Sequence, residues 1–405
     1  MSASGGPSVA YLLADPGIPV GGTKGASVHV ESLCCAMACS GVRVRLYAAR
    51  VAGPLRSRGA EGVDVVPVDV GEVRSGSAGE PGRISAARRF FDLASEHLSS
   101  ERPDWVHERL TLFAGQGGDM CASLGLGRVV EVNAPVAAER SRHFGLLRDT
   151  AAHEAECSAL TGARVLAVSP PLARWAVANG ASEATVVPNG ADTSAFAPAA
   201  WRGRRAELRR RLGLEGRVVV GFAGSLKPWH GVSVLVEAVA DAAAAGKRPL
   251  GLLVVGDGPG RGDAEAATGL LPRSVRAVLA GAVPFALVPG YLAAMDVSVA
   301  PYLPSDDFYF SPLKVAEAMA AGRPVVASDF PPVSELLGGT GVLVAPGDRG
   351  CLANAVADLA ADPRRRIELG GKARARAVEH LDWSAVSRRT LDFAAAGAGA
   401  GSNRG

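Results

Sequence analysis

The chain has 405 residues, enough for two domains of ordinary size. It is 48% hydrophobic and 20% charged, which supports substantial cores and excludes a disordered chain. A net charge of +3 excludes a strongly basic nucleic-acid-binding surface; the basic residues are dispersed, apart from the helical stretch WRGRRAELRRRLG (Trp201 to Gly213), which reads as a solvated face.

The N-terminal MSASGGPSVAYLLAD lacks a basic segment, and its apolar run is too short for an export signal or a membrane span. A cytoplasmic protein is expected, with docking on a membrane surface left open. A first series of buried strands begins with VAYLLAD (Val9 to Asp15) and continues from Val42, Asp64, Asp104, Arg128, Arg164 and Ala184. The small polar, Gly and Pro residues of NGADTSAFAPAAW (Asn189 to Trp201) mark a connector. A second series begins at Arg217, Leu250, Val275, Asp296, Pro324 and Gly341. Runs apolar on both faces and spaced by helices imply parallel strands covered on both sides. Two such series predict two doubly wound, Rossmann-like α/β domains, over 1–195 and 196–380. A last apolar helix at 381–396 is expected to cross back onto the first domain, and 397–405 to be a disordered tail. The six cysteines form no C-x-x-C pair and no zinc spacing, so they read as buried free thiols.

Ligands of open α/β sheets bind beyond the carboxyl ends of the strands. After the first strand, Gly21, Gly22 and Gly25 precede a helix, with Lys24 adding a cation. Such a loop lets amides approach an anion; it is not the G-x-G-x-x-G of nicotinamide sites. After the first strand of the second domain comes GSLKPWHG. There Gly224 allows a tight exit, and Ser225, Lys227 and His230 can converge on a diphosphate. The stretch SPLKVAEAMAAG reads as a helix with Ser311 at its N-cap, Pro312 at N1 and Gly322 as its stop. Glu317, about a turn and a half inside, has either Lys314 or a ligand with vicinal hydroxyls as its partner. The apolar Val315, Ala316, Ala318, Met319 and Ala320 around it favour a lined site. In the first domain His107, Glu108 and Arg109 end one strand and Glu131 and Asn133 the next, a polar set suited to substrate contacts. No G-x-S-x-G is present, and the seven histidines form no hydrolase arrangement.

DPGIPVGGTKGASVHV, VHERLTLFAG, VVPNGADTSAF, VGFAGSLKPWHG, LLVVGDGP and FSPLKVAEAMAAGRPVVAS run in order along nearly the whole chain. With them it resembles the family-4 retaining glycosyltransferases of GT-B architecture, two Rossmann-like domains facing a cleft. The resemblance implies an acceptor-binding N-terminal domain and a nucleotide-sugar-binding C-terminal domain. It gives Glu317 the later position of an E-x7-E signature, which holds the donor ribose, and turns amides near Ser311 and Leu313 toward the donor. The first signature position is Tyr309 rather than Glu, with Asp307 nearby as a substitute. The Arg and Lys of the family's phosphate clamp are replaced by Ser225 and His230, leaving Lys227 to supply the charge. For the polar slot in the sugar pocket the register leaves His107 and Arg109, with Arg109 preferred.

The resemblance further implies transfer of a hexose from a nucleotide-diphosphate sugar to a hydroxyl of a small molecule, lipid or polysaccharide, by a monomer or homodimer. No metal or other cofactor is expected, because Lys227, loop amides and helix N-termini can neutralise the departing diphosphate. Front-face attack is implied, the leaving phosphate oxygen taking the acceptor proton. Lys227, Glu317 and Arg109 then act by orientation and electrostatics, and closure about a hinge near Asp192 brings Arg109 and Asn133 toward the donor. The competing readings are a nucleotide-sugar 2-epimerase, a non-catalytic sugar-binding protein, and an inactive relative, which Tyr309 keeps in view. A segment at Val73 to Ala86 is expected to form an acceptor loop.

Overall fold

The computed structural model describes residues 6–73, 79–246 and 248–401. It divides into two compact units, Met1–Pro188 with Trp383–Gly405, and Asn189–Asp382.

The first unit runs β1 (Ser8–Leu13), α1 (Gly25–Cys39), β2 (Arg43–Ala48), β3 (Val63–Pro67), α2 (Glu80–Glu101), β4 (Trp105–Arg109), α3 (Gly117–Leu124), β5 (Gly127–Val132), α4 (Val136–Phe144), α5 (Asp149–Leu160), β6 (Arg164–Ala167), α6 (Pro170–Ala178) and β7 (Glu183–Val186). Its seven strands are parallel in the order β3-β2-β1-β4-β5-β6-β7. Apolar residues of β1 and β2 are buried because helices cover both faces. One core joins Leu12 and Tyr47 of the sheet to Phe90, Phe91 and Leu98 of α2.

The second unit contains α7 (Pro198–Leu212), β8 (Val218–Ala223), α8 (Val232–Ala245), β9 (Leu250–Val255), α9 (Arg261–Gly269), β10 (Arg276–Gly281), α10 (Val288–Ala294), β11 (Val297–Ala300), α11 (Leu313–Ala320), β12 (Val325–Ser328), α12 (Pro331–Leu337), β13 (Val342–Val344), α13 (Arg349–Ala361) and α14 (Pro363–Arg376). Its six parallel strands run β10-β9-β8-β11-β12-β13. The chain then returns to the first unit as α15 (Trp383–Gly401), which packs on α1 and β5.

All thirteen expected strands are present within a residue or two, and the fold is the expected pair of doubly wound Rossmann-like domains. Each strand order reverses once, between β1 and β4 and between β8 and β11. Those switch points are where the carboxyl ends of neighbouring strands open a crevice.

Three expectations are corrected, and a fourth falls partly outside the described residues. The units part between Pro188 and Asn189 rather than after residue 195, because Ala191 pairs with Leu381 and Asp382. The chain from 397 continues as helix to Gly401, and 402–405 lie outside the described residues. Of the six free thiols only Cys34, Cys35 and Cys121 are buried, while Cys39 and Cys351 are exposed. In the acceptor segment from Val73 to Ala86, residues 74–78 lie outside the described residues and α2 begins at Glu80.

Candidate active site

In the second unit the loops after β8 and β11 meet at the switch point. Gly224 leaves β8 with φ +148°, and a Cβ there would fall 2.9 Å from Lys314 Cε and 3.3 Å from Nζ. The loop turns on itself: His230 Nδ1 lies 2.6 Å from the Ser225 carbonyl and donates to it, and the His230 amide donates to Lys227 O at 2.9 Å. Ser225 is exposed; the half-buried Lys227 holds its ammonium 5.4 Å from the centre of the Trp229 ring.

From α11, Lys314 reaches back into this loop. Its Nζ lies 3.1 Å from His230 Nδ1 and above the rings of Phe222 (4.6 Å) and Tyr302 (5.1 Å). Burial lowers the Lys314 pKa to about 7, with Glu317 pulling the other way. Burial and the Lys314 and Lys227 charges lower His230 to about 3, so its imidazole is neutral. Glu317, one turn further, is half-buried; burial raises its carboxyl to about 7 against the pull of Lys314. Among the described residues the Glu317 carboxylate makes no hydrogen bond and no ion pair, so the expected alternative of a Glu317–Lys314 bridge is not formed.

The entry to α11 differs from expectation. Pro312 is the N-cap and Leu313 the first helical residue. Ser311 caps nothing: its hydroxyl accepts the Asn189 amide at 3.0 Å, and its carbonyl accepts Asn189 Nδ2 at 2.6 Å. Gly322 does stop the helix, at φ +64°.

In the first unit Gly21 takes φ +71°, with its backbone pressed on Gly53 and its carbonyl held by Arg56 Nη2 at 3.0 Å. Gly22 follows half-buried, and the exposed Lys24 precedes α1 with Nζ 3.4 Å from Gly17 O.

The strand ends of β4 and β5 converge on Glu131, which is 3% exposed. Its Oε1 receives Arg109 Nη1 at 2.6 Å and Asn133 Nδ2, and has His29 Nε2 at 2.9 Å. Its Oε2 receives Tyr11 Oη at 3.0 Å and lies 3.1 Å from His107 Nε2. Burial pushes the Glu131 pKa up, but His29, Arg109 and the bond from His107 outweigh it and hold it well below the usual carboxylate range. Glu108 pairs with Arg128 at 2.7 Å, and burial raises its carboxyl. The structure therefore brings His107, Arg109, Glu131 and Asn133 together, but His107, Glu108 and Glu131 are interior. His107 bonds to Glu131 and Glu108 to Arg128, away from solvent, where substrate contacts were expected.

Among the described residues no group of three or more His, Cys, Asp or Glu is placed to hold a metal, and no helix is long and apolar enough to cross a membrane. A cavity of about 600 Å³ lined by Cys121, Arg128, Ser158 and Arg164 lies at the amino ends of β5 and β6.

The family model described as Glycosyltransferase Family 4 matches residues 23–195, and that of Glycosyl transferases group 1 matches 217–362. The chain belongs to the family-4, group 1 glycosyltransferases. It is 28% identical over 429 aligned positions to the D-inositol 3-phosphate glycosyltransferase of Gordonia bronchialis, covering 95% of this chain and 87% of that one. It is 31% identical over 180 residues to the alpha-D-kanosaminyltransferase of Streptomyces kanamyceticus, 44% of this chain and 45% of the relative, so this match spans under half of that protein's length. Anabaena HepE, solved with UDP-glucose, has the same fold, with a TM-score of 0.70 at 20% identity over 96% of this chain and 99% of that one.

In this family-4 chain Tyr309 is buried, its ring 4.3 Å from that of Phe310, and Asp307 is exposed. Three features escaped the sequence: the turn of Lys314 toward His230, the Asn189–Ser311 bracket, and Tyr11 and His29 on Glu131. The first had a faint signal, a lysine beside an unpaired glutamate on an apolar helix. Tyr11 and His29 had none, because a polar atom inside an apolar run does not name its partner.

Proposed function

We propose that the protein transfers a hexose from a nucleotide-diphosphate sugar to a hydroxyl of a small-molecule, lipid or polysaccharide acceptor in the cytoplasm. The observation that carries this reading is Glu317, a half-buried carboxylate left without a protein partner beside the β8–β11 switch point. A carboxylate so placed can accept two vicinal hydroxyls, as dinucleotide folds do with ribose, and it has no other reason to forgo a partner.

Catalysis on this reading is electrostatic. The Gly224–Gly231 loop with Lys227, and the amides near Ser311 and Leu313 that open α11, face the diphosphate as its charge grows. The departing oxygen takes the acceptor proton while the new C1–O bond forms on the face it leaves, which retains the anomeric configuration. No metal is needed. The half-buried Asn133, and behind it the buried Arg109, are the acceptor-side groups on this reading.

The test is a thermal-shift and turnover screen against UDP-, GDP- and ADP-sugars. A stabilising donor with release of nucleoside diphosphate, undiminished by chelator and lost in Glu317→Ala, is the expected result. Full activity in Glu317→Ala would remove this residue from the site, and a strict Mg²⁺ requirement would overturn the metal-free account.

A further inference from the structure

We propose that Lys314 is a cation of the donor-diphosphate subsite, additional to Lys227. This rests on the nucleotide-sugar reading above and names a contact which that reading lacks.

The argument starts from where the ammonium lies. Lys314 is one of two lysines at the β8 loop, and it is the one folded into it. Its stem crosses the open face of Gly224, where a Cβ would meet Cε at 2.9 Å, so the glycine makes way for this lysine as well as for the turn. Phe222 and Tyr302 flank the ammonium, and His230 Nδ1 stands 3.1 Å away. The rings stabilise an ammonium weakly compared with a carboxylate, and His230 Nδ1, whose hydrogen goes to the Ser225 carbonyl, offers it no lone pair. Glu317, one turn along the same helix, is the carboxylate within reach, and it does not take the ammonium as a partner. Two opposite charges kept apart on one face of α11 match a ligand that is itself divided, hydroxyls at one end and an anion at the other. A nucleoside diphosphate is such a ligand: ribose to Glu317, phosphate to Lys314.

The imidazole beside the ammonium is itself held in place. Its Nδ1–H is committed to the Ser225 carbonyl at 2.6 Å, which sets the tautomer and the ring plane. The ring also packs edge-on against Tyr302 at 5.4 Å between centroids and lies 6.0 Å from Phe222. The groups facing Lys314 are thus Phe222 from β8, His230 and Gly224 from the loop, Tyr302 after β11 and Glu317 from its own helix. Lys227 adds a second positive charge near His230. With burial holding its pKa at about 7, Lys314 is divided between amine and ammonium near neutrality, and an arriving diphosphate favours the ammonium.

The experiment is calorimetric titration of the full chain with UDP and GDP and with uridine and guanosine. It compares wild type with Lys314→Met, Lys314→Arg and Glu317→Gln. For the diphosphate that wild type binds, Lys314→Met is expected to weaken affinity by about tenfold to a hundredfold, the size of a charge-assisted hydrogen bond. The matching nucleoside should change by less than about twofold, Lys314→Arg should recover part of the loss, and Glu317→Gln should weaken nucleoside and diphosphate alike. A merely structural lysine would lower both affinities together. That result, or an unchanged diphosphate affinity in Lys314→Met, overturns the assignment while leaving the nucleotide reading intact. Wild type binding neither of these diphosphates nor ADP overturns both.

Discussion

At the scale of single residues the site conserves two unfavourable charges. Lys314 and Glu317 are each pushed toward neutrality by burial, and neither is relieved by a bridge to the other. A group whose folded-state pKa is lowered, as Lys314 to about 7, leaves the unfolded chain binding more protons between that value and the ordinary lysine range. Stability then rises with pH across that interval. Glu317, raised to about 7, makes the folded chain bind more protons between the ordinary carboxylate range and 7, so its contribution falls as pH rises there. Removing either charge should therefore stabilise the ligand-free protein. Lys314→Met is predicted to raise the melting temperature at pH 7 by about 2–4 °C, of order 1 kcal/mol in a domain of this size. Its advantage over wild type should shrink by pH 9. Glu317→Gln should show the opposite trend, gaining on wild type from pH 5 to pH 7. Differential scanning calorimetry reads both, and a Lys314→Met gain that grows with pH would contradict the assigned protonation. The same variants are expected to weaken nucleotide binding, which would set stability against function at these positions.

At the scale of elements, the sheets were legible and the polar clusters were not. The central strands show as apolar runs because a parallel strand under two helix layers has no polar face, whereas β3 and β7 at the sheet edges are partly exposed. The start of α11 was misplaced because Ser311 has a better partner than the helix: Asn189, distant in sequence, takes both its hydroxyl and its carbonyl. Glu317 was legible because an isolated charge on an apolar helix is conspicuous. Glu131 looked equally conspicuous at a strand end and proved different, since its partners come from β1, α1, β4 and the residue after β5. Only the fold brings those together. The cluster yields its own prediction. Glu131→Gln keeps the shape but leaves Arg109 buried opposite a neutral group, which should cost about 3–5 kcal/mol. Because the folded pKa of Glu131 is depressed, its contribution is complete above the ordinary carboxylate range and is lost as pH falls toward the folded value. The gap between wild type and variant should be full at pH 7 and narrower by pH 3.5, read as amide exchange in β4 and β5. An equal gap at both would mean that the carboxylate is not the source.

At the scale of the whole molecule, the chain does not finish where its second sheet does. It leaves the first unit at Pro188, builds the second, and re-enters the first at Trp383. The returning α15 packs on α1 and β5. Trp383 meets His29 edge-on at 5.3 Å, Val386, Ser387 and Thr390 are buried, and Arg164 stacks over Phe393 at 4.1 Å. Each large apolar side chain buried there is worth about 1.5–3 kcal/mol. His29 in turn touches Glu131, so α15 braces the polar cluster as well as the apolar core. A chain ending at Asp382 keeps every strand of both sheets, yet it should destabilise the first unit by several kcal/mol and leave the second intact. Exchange mass spectrometry separates these outcomes. Peptides from α1 and β5 should lose protection by about a hundredfold or more, while those from β8, β9 and β11 keep theirs. Uniform protection in the shortened chain would show that α15 only covers the first unit, and uniform loss would show that both units depend on it.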